Sequence, residues 1–232
     1  LPDALALAQT MVDIGKLAGK PIVAVITSMA QPLGTHIGNA LEVKDAIDVL
    51  AGRTQGDLLE ISLLLGSHML VLAEKAKTLP EARTMLENAL SSGAGLRKLA
   101  EMIAAQGGDP RVVEDLSLLP QAAVKRVMRA ETAGYLSAMD TTALGMAAQR
   151  MGAGRAKKSD MLDYSVGYVL HVRLGDEVTE DTPLATLYAR NEAEAEEAEK
   201  AIRKALTIAK EKPSVPPLWD AVVTAEGITY NR

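Results

Sequence analysis

Cysteine and phenylalanine are both missing from this chain of 232 residues. Without cysteine there can be no disulfide, no thiolate nucleophile and no zinc–thiolate centre, a composition that fits a cytoplasmic protein. With no Phe, one Trp and five Tyr, the core must be assembled from Leu, Val, Ile, Ala and Met. Few rings are left to stack on nucleic-acid bases, and no basic block interrupts a formal charge of −5, so no nucleic-acid partner is expected. No apolar run is long enough to cross a membrane, which takes about 20 residues. The longest, residues 58–73, is broken by Glu60, Ser62, Ser67 and His68 and reads as a buried helix. No membrane partner is expected either. The opening Leu1-Pro2-Asp3 carries no signal-like core and leads straight into a helical pattern, as if the polypeptide were entered partway.

Apolar residues at Leu7, Met11 and Ile14 have the spacing of one helix face, and Gly19 can end that helix. Residues 22–26 form a short β-branched run, the pattern of a buried strand. Residues 31–34, Gln-Pro-Leu-Gly, form a turn. Asn39 with Glu42, Asp57 with Glu60, and Thr78 with Glu81 each read as a capping pair that opens a helix. A fourth helix over residues 95–106 places Leu96, Leu99 and Ile103 on one face. One strand with four helices cannot complete a sheet, so leading strands are expected upstream. Gly107-Gly108-Asp109-Pro110 begins a connection, which divides the chain into residues 1–121 and 122–232.

The second part alternates strands and helices: strands at 123–128, 135–139, 166–174 and 183–189, helices at 141–151 and 192–210, and a last strand at 218–225. The acidic run at 192–199 reads as a solvated helix face. The fold class expected is therefore α/β plus α+β: the C-terminal part of a large α/β domain, followed by a smaller α+β domain. Gly175-Asp176 between strands gives the latter a barrel-like half similar to biotinyl and lipoyl carriers. Those carriers need a lysine on the hairpin, and none occurs between Lys158 and Lys200, which excludes carrier function.

His36, His68 and His171 are too widely spaced for a local metal motif. His68, in an apolar helix, reads as a hydrogen-bonded core histidine, and His171 as a surface residue. Gly152-Ala153-Gly154 follows a helix and reads as a glycine C-cap and turn, not a phosphate loop. Met146 and Met151 read as core filler.

Two segments carry a family likeness. The first is Ile26-Thr27-Ser28-Met29-Ala30-Gln31-Pro32-Leu33-Gly34, continuing through Ile37-Gly38-Asn39-Ala40-Leu41-Glu42-Val43-Lys44 to Leu64-Leu65-Gly66-Ser67-His68-Met69. The second comprises Gly152-Ala153-Gly154-Arg155, Val166-Gly167, Gly175-Asp176 and Pro183-Leu184-Ala185-Thr186-Leu187-Tyr188-Ala189. Together they resemble the C-terminal portion of the thymidine and pyrimidine-nucleoside phosphorylases. The resemblance implies reversible phosphorolysis, in which phosphate attacks the anomeric carbon of a pyrimidine nucleoside to give free base and pentose 1-phosphate. It also implies a homodimer whose domains close on phosphate and nucleoside. The family's base-binding Arg, Ser and Lys and its phosphate-binding Lys, Ser and Thr lie upstream of the segment matching Leu1. No catalytic residue is therefore assigned here, and the chain by itself is expected to be inactive and to need the N-terminal part of the same protein. The alternative is a non-catalytic, partner-binding module derived from that family.

The resemblance also implies a potassium ion held by the carbonyls of Leu33 and His36 and the side chain of Asp45. Its remaining ligands would come from the upstream phosphate loop, so the shell is incomplete in this chain. The family typically has Glu where Asp45 stands, which withdraws the carboxylate by roughly 1.5 Å. The competing reading makes Asp45 an exposed first-turn acid favoured by the helix dipole.

Overall fold

A computed structural model describes residues 1–231. In chain order its elements are α1 (Pro2–Leu17), β1 (Ala24–Thr27), β2 (His36–Ile37), α2 (Asn39–Leu50), α3 (Asp57–Leu72), α4 (Leu79–Ser91) and α5 (Ala94–Ala105). Two short 3-10 turns, Pro110–Val113 and Leu116–Leu118, lead to β3 (Val124–Arg129), β4 (Gly134–Met139) and α6 (Thr141–Ala148), which runs on as a π-helical turn, Gln149–Ala153. Then come β5 (Gly167–Leu170), β6 (Glu177–Val178), β7 (Pro183–Ala189), α7 (Glu192–Ala205), β8 (Leu206–Ala209), β9 (Trp219–Thr224) and β10 (Gly227–Tyr230).

The chain forms two compact units that are discontinuous in sequence, whereas the division expected after residue 121 follows chain order. One unit contains residues 1–28, 55–92 and 216–232, and the other contains 29–54 and 93–215. In the first, the sheet order is β1-β9-β10, with β9 antiparallel to both neighbours. Val25 sits opposite Val222, and Ala24 opposite Val223. Helix α1 lies on this sheet through Ala8 and Val12, which cluster with Val223, Leu5, Ala24 and Ile26. Its other side carries Leu7, Met11 and Ile14, each more than half exposed. The apolar helix over residues 58–73 is also less buried than its sequence suggests. In α3 only Ile61, Leu63 and Ser67 are buried, and Met69 is 67% exposed.

The second unit holds two antiparallel sheets, β2-β5-β7-β3 and β6-β4-β8. Alternation along β7 and β5 puts Leu187, Ala185, Tyr168 and Leu170 into a core shared with Met128, Leu136, Leu144, Met151 and Ile202. Each such large side chain contributes about 1.5–3 kcal/mol by leaving water. Tyr168 is fully buried, and its hydroxyl donates to the Leu144 carbonyl at 2.7 Å. Burial pushes that hydroxyl's pKa up. Ile47 packs with Val112 and Val113, joined by Leu96, Leu99 and Ile103. The segment after Gly107 is therefore part of a core and more than a connection. Met151 is buried as expected, but Met146 is 43% exposed.

Mixed α/β architecture is found, with every described strand pairing antiparallel. Barrel closure is not seen, since the sheets form open orders of three or four strands among the described residues. The helix expected to reach residue 210 stops at Ala205. Leu206 turns extended (φ −109°, ψ 132°), and β8 pairs with β4. β-Branched Thr207 and Ile208 suit a strand better than the end of a charged helix.

Capping departs from expectation at two of three helices. Thr78 accepts from the Glu81 backbone N–H, and the Glu81 carboxylate accepts from that of Lys77, as its sequence suggests. Helices α2 and α3 instead begin after Gly38 and Gly56, both at positive φ and without a side chain to cap the helix, although the Glu42 carboxylate accepts from the Gly38 N–H at 3.3 Å. Gly38 is required by proximity: a Cβ there would sit 2.4 Å from the Val166 carbonyl oxygen. Its counterpart Gly167, at φ +147°, would place a Cβ 2.1 Å from the Ile37 oxygen. Asn39, displaced from the cap position, donates its side-chain amide to the Ala153 carbonyl at 2.9 Å. Gly167→Ala should therefore cost about 3 kcal/mol or more, combining backbone strain with steric overlap. Chemical denaturation checks this, and a loss below about 1 kcal/mol would contradict it.

Candidate functional site

The segment from Gln31 to Thr35 is irregular backbone, so its conformation must be imposed by partners far away in sequence. Arg173 supplies the main one. Its Nη1 donates to the Pro32 carbonyl at 2.7 Å, and its Nη2 reaches the Leu33 carbonyl at 3.4 Å. The neighbouring Leu174 N–H donates to the Gln31 side-chain oxygen at 2.9 Å. Further along, the Leu170 N–H donates to the Thr35 carbonyl at 2.8 Å. His36 pairs with Val169. Because the Thr35–Leu170 pair is hydrogen-bonded, His36 occupies the alternate position, and its carbonyl points off the open edge of β2.

Asp45 is not an exposed first-turn acid. It lies on the second turn of α2, is 5% exposed, and accepts from the Thr35 backbone N–H at 3.3 Å. Its other oxygen is 3.4 Å from His36 Nδ1, which also meets Thr35 Oγ1 at 3.0 Å. Lys44 Nζ lies 3.4 Å from His36 Nε2. An ammonium can only donate, so Nε2 accepts and the ring proton of a neutral His36 sits on Nδ1, facing Asp45 and Thr35. Burial, the largest influence, holds the His36 pKa below its ordinary value. Asp45 pulls it up and Lys44 pushes it down.

Leu33, His36 and Asp45 thus fall on one corner of the second unit. His36 and Asp45 meet directly, and Leu33 is tied to the same corner through Arg173. Two carbonyls and a carboxylate are an all-oxygen donor set, which suits a hard cation. Arg173 takes one lone pair of the Leu33 oxygen and leaves the second for a metal. In kind, the residues fit the implied ion. No group of three or more His, Asp or Glu suited to a metal occurs among the described residues.

Sequence reasoning missed two parts of this corner. Arg173 lies 140 residues from Leu33, and its place inside the strand expected at 166–174 gave no sign of its target. Asp48 is buried between Lys44 Nζ at 2.9 Å and Arg53 Nε at 2.7 Å. The i,i+4 spacing of Lys44 and Asp48 was readable. His171 is exposed as expected, yet its Nε2 meets the buried Thr186 hydroxyl at 2.7 Å.

Comparison with known proteins bears on what this corner belongs to. Residues 2–96 match the glycosyl transferase family, a/b domain, and residues 135–209 match the pyrimidine nucleoside phosphorylase C-terminal domain. The pyrimidine-nucleoside phosphorylase of Geobacillus stearothermophilus is 50% identical over 192 residues, covering 83% of this chain and 44% of that protein. The Bacillus subtilis (strain 168) protein of that name is 49% identical, with 82% and 44% covered. The Staphylococcus aureus (strain USA300) one is 42% identical over 97% of this chain and 51% of its own length. The chain belongs to the pyrimidine-nucleoside phosphorylase family. It spans about half the length of the curated relatives it matches. As a member of that family it joins two matched domains in one polypeptide, with Leu33, His36 and Asp45 in the first match and Arg173 in the second.

Burial raises the Asp48 pKa, but hydrogen bonds from Lys44 and Arg53 outweigh it and hold the carboxyl below its usual range. A depressed pKa gives stability that is present above the unfolded value, about 4, and is lost as pH falls through the folded one. Asp48→Asn should cost about 1–2 kcal/mol at pH 7, reduced because both cations are partly exposed. By urea denaturation the gap from the parent should shrink at about pH 3. An unchanged gap would contradict the assignment.

Proposed function

We propose that this chain is the C-terminal half of a pyrimidine-nucleoside phosphorylase, acting within the longer protein on thymidine or uridine. The reading rests on the two domain matches, which occur in sequence order, together with relatives at 42–50% identity. In the reaction, a phosphate oxygen forms a bond to the anomeric carbon as the bond from that carbon to the base nitrogen breaks. The base leaves with the electron pair and takes up a proton, giving pentose 1-phosphate. No catalytic residue is assigned to this chain. The groups that bind phosphate and base would belong to the upstream half. Closing such a site would exclude water from an oxocarbenium-like transition state.

The first unit supports an upstream half on physical grounds. β1 is the terminal strand of its three-stranded order, and α1 exposes Leu7, Met11 and Ile14 beside it. A strand preceding α1 could pair with β1 through one right-handed crossover, and further upstream chain could cover that stripe. Within the longer protein, the carbonyls of Leu33 and His36 and the carboxylate of Asp45 would hold a potassium ion. The ion supplies a fixed positive charge that favours a bound oxyanion. Asp45 supplies the carboxylate that balances it, and Arg173 keeps the Leu33 carbonyl in place. Homodimerisation and a cytoplasmic location belong to the same proposal, by analogy with the family.

Phosphorolysis of thymidine and uridine should be undetectable with the 232-residue chain alone and should appear when the upstream half is supplied. Turnover by this chain alone would overturn the proposal. In the longer protein, potassium should raise the melting temperature above that in choline chloride of equal ionic strength. The gain should approach about 2.7 kcal/mol when the ion is at a hundredfold excess over its Kd. Asp45→Asn should abolish the potassium-specific part, and an equal response in parent and variant would contradict the assignment.

A further inference from the structure

A cavity of about 450 Å³ lies wholly in the first unit. Leu64 and Leu79 supply apolar wall from the helices, and Val222 and Ile228 supply it from the strands. Trp219 and His68 also line it. His68 was expected to be a hydrogen-bonded core histidine. Instead its Nε2 is buried and has no hydrogen-bond partner. A buried polar nitrogen is unfavourable until something supplies its partner, and native folds rarely leave one orphaned. Burial also holds the His68 pKa below its ordinary value, so the ring is neutral near pH 7. The lining contains no lysine or arginine, and Glu226 adds a carboxylate. Phosphate or carboxylate ligands are therefore disfavoured. Cavities of this size, with largely apolar walls and a few polar groups, are typical of small-molecule sites.

We propose that this cavity binds an uncharged, planar heterocycle through its ring nitrogens, with His68 Nε2 as the polar anchor and Trp219 as an aromatic wall. The assignment goes beyond the phosphorolysis reading and does not depend on it. Trp219 is the single tryptophan of the chain, so intrinsic fluorescence reports directly on the site. Benzimidazole is a suitable probe, being neutral at pH 7 and carrying both a ring N–H and an acceptor nitrogen. Indene has nearly the same shape and lacks both.

Titrating the 232-residue chain with benzimidazole should change Trp219 emission saturably, and indene should bind about tenfold more weakly, the value of one hydrogen bond. His68→Phe should weaken benzimidazole by about tenfold and leave indene within about threefold. His68→Gln, which keeps a hydrogen-bonding group, should retain most of the benzimidazole affinity, with circular dichroism confirming the fold of each variant. A linear, non-saturating response would overturn the proposal and leave water as the partner of His68. So would equal affinity for the two probes on the unaltered chain, a measurement that stands even if a variant fails to fold.

Discussion

A carboxylate taken out of water must be compensated, and the corner between Gln31 and α2 is organised around that requirement. Asp45 is almost fully buried and is met by the Thr35 backbone N–H and the His36 ring. Those contacts fix the residues on either side of the Thr35 peptide, while the His36 carbonyl points away from the sheet. Arg173 fixes the other end of the turn through the Pro32 and Leu33 carbonyls. Asp45 thus finds its partners within its own corner.

The same corner depends on two glycines facing each other across β2 and β5. With Cβ atoms 2.4 and 2.1 Å from opposing carbonyl oxygens, neither Gly38 nor Gly167 can be replaced without moving a backbone. Each lies in one of the two segments that carry the family likeness, 129 residues apart in sequence. Their role is steric: they let β2 lie against β5, and this brings the turn within reach of Arg173.

Long periodic helices and β-branched runs were legible in the sequence because local pattern decides them. Residues 2–17, 79–91 and 183–189 fold as their spacing suggests. Other features depended on partners that sequence spacing does not reveal. Gly38 rather than Asn39 caps α2 because of Val166, and residues 206–209 leave a helix because β4 is there to pair with them. The site was legible only through family resemblance. Nothing in the spacing of Leu33, His36 and Asp45 distinguishes a cation corner from a turn followed by a helix. Burial of Asp45 and the reach of Arg173 show how the turn is held, and both are long-range facts.

The most direct test of this account is anomalous scattering from rubidium, a heavier stand-in for potassium, in crystals of the longer protein. The account predicts a peak bounded by the Leu33 and His36 carbonyls and the Asp45 carboxylate, with Arg173 still holding Pro32. A corner with no peak, or one filled by the Arg173 guanidinium or the Lys44 ammonium, would contradict it.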